Sequence, residues 1–123
     1  MEHLNSRFKL LVDAVNHNHT RAEIRYLALS IVTAVGRLLD EHGHKSPVAK
    51  NLRTISVYCR NYIAEIIEKK SVNVSFRDRE MGYFRQSLTS QEKRTILRHL
   101  NRIQGYIKAV AAELKIELEE VMT

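Results

Sequence analysis

Ile96, Leu100, Ile103, Ile107, Val110 and Leu114 recur at intervals of three and four residues without a miss. A period of 3.6 sustained over that span gives a helix one apolar face and fits no strand, whose period is two. Thr89 and Glu92 stand just ahead of the run at capping-box spacing. There a hydroxyl takes the third backbone N–H and the carboxylate reaches back to the first.

The same pattern governs three earlier segments. Leu4, Phe8, Leu11 and Val15 predict a helix over about residues 2–16, stopped by the polar cluster Asn16-His17-Asn18-His19. Thr20 and Glu23 predict a second capping box, followed by Ile24, Ala28, Ile31, Val35 and Leu38. Leu27, Val32 and Leu39 widen that face, and Gly43 provides a left-handed stop. Ser46 is a cap candidate, and Pro47 suits a first helical position, where its missing N–H costs nothing. The third helix then carries Val48, Leu52, Ile55, Cys59, Tyr62 and Ile66, broadened by Ile63 and Ile67, with Lys69 and Lys70 complementing the dipole of its last turn.

Residues 71–76 alternate apolar and polar, but a lone strand has no partner in such a chain, so they read as an extended connection. Residues 77–87 read as a short helix pinned by Met81 and Phe84. The tail either continues the last helix or breaks from it near Lys115. Short connections make successive helices antiparallel neighbours. The expected fold is an all-α antiparallel bundle of about four main helices with short connecting pieces, in a single domain over residues 1–123. Long helices of this kind run roughly 30–37 Å. The wide apolar faces of the second and third helices exceed a narrow seam and lead us to expect a homodimer or a stable partner complex.

Composition narrows the function. One Pro and four Gly in 123 residues leave too few turns for an all-β fold. The single Cys59 excludes an internal disulfide and a cysteine-rich zinc module. Charges interrupt every segment, so no membrane span is expected, and the first residues lack the apolar run of a signal peptide. A cytoplasmic, soluble protein is the expectation.

The net charge of +6 is unevenly spread. Residues 77–112 hold eight Lys and Arg against three Asp and Glu, whereas residues 113–123 hold one against four. On a helical wheel Arg94, Arg98, Arg102 and Lys108 fall on the side away from the Ile96–Ile107 stripe, together with Asn101 and Gly105, and Arg77, Arg79 and Arg85 precede them. Arginine forks pair bidentately with phosphate oxygens, so these seven residues predict a phosphate-facing ridge for DNA or RNA. Tyr83 and Phe84, between the arginines, are candidates to stack on bases. A basic stripe opposite an apolar one is also what any amphipathic helix presents to solvent, and it could equally meet an acidic partner protein.

Catalytic equipment is sparse. Asp40, Glu41 and the pairs His17/His19 and His42/His44 are possible metal ligands, but the second helix holds the pairs more than 20 residues apart, so no metal or other cofactor is expected. Cys59 lies in an apolar stripe and reads as inert core. There is no glycine-rich phosphate loop, and no Ser/His/Asp set or paired carboxylates stand at a working spacing. The Ala111–Val121 stretch is similar to the start of a helix-turn-helix, but no recognition helix follows it and Glu119 and Glu120 would repel phosphate. Arg94 and His99 resemble the Arg-x(4–6)-His signature of HEPN-type ribonucleases, helical bundles that act as dimers. Twelve Arg and six His yield roughly two such spacings by chance in this length, and Arg37 with His42 or His44 supplies others. The functional order is therefore a non-enzymatic nucleic-acid-binding regulator or accessory protein, then a protein–protein adaptor or inhibitor, and distantly a dimeric ribonuclease.

Overall fold

The structure is a computed structural model that describes residues 1–71 and 74–122, without the side chains of residues 79–81. Two expectations fall partly outside it: the connection at Val72-Asn73 and the role of the Met81 side chain.

The described residues form six α-helices: α1 (Glu2–Asn16), α2 (Arg21–His42), α3 (Ala49–Cys59), α4 (Glu65–Ser71), α5 (Phe76–Met81) and α6 (Ser90–Glu113). A π-helical segment, Arg60–Ala64, joins α3 to α4, and a 3-10 turn, Tyr83–Arg85, follows α5. Among the described residues the only β pairing is an isolated bridge between Thr20 and Ser87. The α3–π–α4 rod packs between α2 and α6, and α1 closes the ring against both. Lys93 at the start of α6 reaches the Asn16 carbonyl at the end of α1, and Arg25 near the start of α2 pairs with Glu68 on α4. The four rods thus alternate in direction, as the short connections require.

Local chemistry sets the helix ends. Thr20 Oγ1 accepts from the Glu23 amide at 3.2 Å, but the Glu23 carboxylate turns to His19 Nδ1 at 2.7 Å, so only half of the first capping box forms. The box at Thr89 and Glu92 is complete. Asn18 ends α1 with φ 57°, while the His19 amide bonds the Ala14 carbonyl at 2.9 Å. Asn tolerates this left-handed position better than most residues. Lys115 does the same after α6, at φ 55°, with the Ile116 amide on Ala111 O at 2.9 Å. The helix therefore breaks at Lys115 and the tail continues without helix. Gly43 ends α2 at φ 91°, a value open to glycine.

Ser46 does not cap. The third helix starts at Ala49, with Val48 at its N-cap and no side-chain bond, and Ser46 Oγ is buried without a partner among the described residues. The Ala49 amide instead closes a turn on the Ser46 carbonyl, which delays the helix by two residues.

The largest departure lies in the third rod. A regular α-helix would carry Tyr62 and Ile66 on the face of Leu52, Ile55 and Cys59. The wider π turn shifts the register by about one residue. Ile63, Ala64 and Ile67 are buried instead, Ile66 is half-buried, and Tyr62 is 42% exposed. The core otherwise follows the stripes: Leu4, Phe8, Ile24, Ile31, Leu52, Leu100 and Ile107 are all buried. Leu27 and Leu39, which widened the face of α2, are buried within the single chain as well.

Candidate nucleic-acid interface

Arg94, Arg98 and Arg102 occupy successive turns of α6 and are exposed. At 100° per residue their row drifts by about 40° per step toward the third rod. Arg102 reaches it, with Nη1 3.5 Å from the Tyr58 hydroxyl. Arg94 and Arg98 have no ion-pair partner among the described residues.

The expected ridge ends there. Lys108 is turned roughly 120° from Arg102 around the helix. It pairs with Glu120 of the tail. That tail folds back along α6, held by Gln104: its Nε2 donates to Met122 O at 2.7 Å and its Oε1 accepts from the Met122 amide at 2.6 Å. Asn5 on α1 donates to the Glu119 carbonyl from the other side. The acidic end of the chain thus covers the flank on which Lys108 sits. Arg77 is exposed on α5 and Arg85 is exposed in the 3-10 turn. Arg79 lies on α5, with its side chain outside the described residues.

Tyr83 and Phe84 serve the fold. Their rings meet edge-on at 5.1 Å and both pack against the core. The Tyr83 hydroxyl donates to the Ile67 carbonyl at 2.8 Å, and its ring lies 4.4 Å under the Arg21 guanidinium. The Arg21 guanidinium thus takes one face of the Tyr83 ring. Burial, ahead of the neighbouring charges, raises the Tyr83 phenol above its ordinary value.

A different aromatic group flanks the arginines. Tyr58 comes from α3, Tyr62 from the π-helical segment, and His99 and Tyr106 from α6. Tyr62 and His99 stack at 5.5 Å with their planes 20° apart. Tyr58 meets Tyr62 edge-on at 5.0 Å and lies 5.8 Å from both His99 and Tyr106. His99 Nδ1 is shielded from solvent without a partner among the described residues. Desolvation, then the positive charges of Arg102 and Arg98, push the His99 imidazole below its usual range. Helical spacing places only Tyr62 among them, on the apolar stripe of the third helix. Their convergence depends on the register shift and on contacts between distant segments.

Next to Tyr62 a cavity of about 160 Å³ opens between α4 and α6, lined among others by Ile66, Lys70, Gln91 and Thr95. Glu92 also lines it.

The histidine pairs stand at opposite ends of α2. His19 binds Glu23, His44 binds Asp40 at 3.2 Å, and His17 Nδ1 lies 2.8 Å from the Asp13 carbonyl. Among the described residues no three metal-ligating side chains come together. Burial pushes the Cys59 thiol up to about 12, which leaves it protonated and unreactive at neutral pH. Arg94 and His99 diverge by about 140° around α6. Among the described residues no helix is long and apolar enough to cross a membrane. Comparison with models of protein families, with curated proteins and with solved structures found no match to this chain.

Proposed function

We propose that the chain is a non-enzymatic nucleic-acid-binding accessory or regulatory protein that grips phosphates through α6. The observation that supports this reading is the row of Arg94, Arg98 and Arg102, exposed at successive turns beside an aromatic group. Arginine forks on a rigid helix suit phosphate oxygens, and aromatic rings beside them suit bases. Arg77, Arg79 and Arg85 add positive charge from the preceding elements, and Lys108 contributes only if it leaves Glu120. The proposed setting is the cytoplasm, whose reducing conditions suit a lone thiol such as Cys59.

A second reading, an adaptor or inhibitor docking on an acidic partner protein, draws on the α1–α2 side. There exposed Tyr26 lines a cleft with Arg7 and Arg37. A homodimer would draw on what the wide faces of α2 and the third rod leave partly exposed, Val32, Ile66 and Tyr62, since Leu27, Leu39, Ile63 and Ile67 are buried within the single chain; light scattering tests for it. A ribonuclease of the HEPN kind would need Arg94 and His99 to converge across two copies, and cleavage of labelled RNA by wild type against His99→Ala tests that.

The main test is a titration with duplex DNA, single-stranded DNA and RNA from low to physiological salt. Binding that persists at physiological salt and is lost in Arg94→Ala/Arg98→Ala/Arg102→Ala is expected. An absence of binding at physiological salt overturns the proposal in favour of the adaptor.

A further inference from the structure

The π-helical segment puts a tyrosine where the sequence offered the core an equally apolar alternative. Cys59-Tyr62-Ile66 and Cys59-Ile63-Ile67 are both acceptable stripes, and the fold takes the second at the expense of regular hydrogen bonding over Arg60–Ala64. Such π segments recur at functional sites, and they move one side chain off the face it would otherwise take. Here that side chain is Tyr62, turned outward and stacked on His99.

We propose that this seam between the π-helical segment and α6 is a base-stacking site for single-stranded nucleic acid, and that the cavity beside Tyr62 receives one pyrimidine base. The proposal rests on the nucleic-acid reading above and names the ligand of that face. Three observations converge on it. His99 backs one face of the Tyr62 ring and Tyr58 braces both edge-on, which leaves the outer side of the exposed Tyr62 for a base. A π face of this kind accepts any unpaired base but has no access to bases stacked inside a duplex. Arg98 and Arg102 stand on the outer flank of the rings, where the strand's phosphates would run.

The third observation is size. A dry cavity of about 150 Å³ holds a benzene ring. The space beside Tyr62 is about 160 Å³ and partly open to solvent, so one six-membered ring fills it and a purine would leave its second ring outside. Its walls match a base in kind: Ile66 and Ile67 provide apolar surface, and Gln91 and Thr95 provide hydrogen-bonding groups at the rim. Lys70, already 3.3 Å from Glu92, keeps the buried carboxylate from presenting an unpaired negative charge to the site.

The test is fluorescence anisotropy at physiological salt with labelled oligouridine, oligothymidine and oligoadenosine of about a dozen nucleotides, and a duplex of the same length. The pyrimidine strands are expected to bind about tenfold more tightly than oligoadenosine or the duplex. The tighter of oligouridine and oligothymidine identifies RNA or DNA as the source. Tyr62→Ala should weaken binding roughly ten- to a hundredfold, and Tyr62→Phe should keep it, because stacking needs the ring and not the hydroxyl. Circular dichroism establishes that both variants fold. The chain has five Tyr and no Trp, so unlabelled oligouridine should also quench the intrinsic tyrosine fluorescence. Equal binding of the duplex, or an unchanged Tyr62→Ala, overturns the stacking site and leaves the arginine row standing. Equal binding of oligoadenosine overturns the pyrimidine assignment. No binding by any probe overturns both this inference and the function it rests on.

Discussion

Arg21 Nη2 lies 2.9 Å from Glu92 Oε1, with both side chains more than nine-tenths buried, at the end of the bundle where α2 and α6 begin. A cation is unfavourable at the positive end of a helix dipole, so Arg21 at the first position of α2 needs an opposing charge. Glu92 supplies it from the third position of α6, where a carboxylate is favoured. Each partner is further held. Arg21 donates to the Tyr83 carbonyl at 3.2 Å and to Gln86 at 3.4 Å, while Glu92 accepts from the Thr89 amide at 2.9 Å and from Lys70 at 3.3 Å. The pair thus fastens α2, α4, the 3-10 turn and α6 at one end of the bundle. The tyrosine seam lies on the same rods.

Removing one member of that pair is expected to cost more than removing both. Glu92→Gln keeps the reach to the Thr89 amide but leaves a buried guanidinium uncompensated, for a loss of about 3–5 kcal/mol. Arg21→Met/Glu92→Leu replaces both charges with apolar groups and should recover most of it. Urea denaturation of Arg21→Met, Glu92→Leu and the double variant measures the coupling. Additive losses would show that the two side chains act independently.

Acid should destabilise the fold through the same carboxylate. Burial by itself would raise the Glu92 pKa, but the Thr89 amide and Arg21 outweigh it and hold the group at about 2. Its folded-state value therefore lies below its unfolded value of about 4.3. The stabilisation is complete above the unfolded value and drains away as pH falls through about 2. Denaturation midpoints followed from pH 6 to pH 2 should decline mainly below about pH 4.5 in wild type. In Glu92→Gln the decline should be shallower; an identical pH profile would assign acid sensitivity to other groups.

The helices and most of their ends were legible because their signals are local. The Thr89–Glu92 box needs only four residues, and the Ile96–Val110 stripe needs only its own period. The register of the third rod was not legible, because Tyr62/Ile66 and Ile63/Ile67 satisfy helical spacing equally well. The choice between them is made by packing against α2 and α6. The candidate site divides the same way. Arg94, Arg98 and Arg102 share one side of one helix and could be read from a wheel. The pairing of Lys108 with Glu120 depends on the tail reversing at Lys115, and the contact of Tyr62 with His99 joins segments that no periodicity relates.

Regularising the π-helical segment should leave the proposed binding in place. Deleting Asn61 removes the extra residue and lets a regular α-helix carry Ile63 and Ile67 into the core without strain. The variant is expected to melt at or above the wild-type temperature, because regular i to i+4 bonding is restored. Tyr62 still directly precedes the buried Ile63 and so keeps its place beside His99, and the proposed affinity for single strands should be retained. Thermal melts by circular dichroism and the anisotropy assay, run on the same preparation, give the two readouts. A variant that is unfolded shows that the π turn is a structural requirement. One that is stable and no longer binds shows that the π geometry itself, and not the Tyr62 ring alone, makes the interface.

Salt dependence distinguishes the arginine row from the rest of the positive charge. Each phosphate neutralised on a single strand contributes about 0.7 to the slope of log affinity against log salt. Arg94→Ala/Arg98→Ala/Arg102→Ala should therefore flatten the slope by about 2. Lys108→Ala should change it little, because Lys108 already faces Glu120 on the other flank of α6. Tyr62→Ala should lower affinity at every salt concentration and leave the slope intact, since stacking releases no counterions. Affinities measured at four or more salt concentrations resolve these patterns. If the triple variant kept the wild-type slope, phosphate contacts would have to come from Arg77, Arg79 and Arg85 instead, and the face of α6 would no longer be the interface.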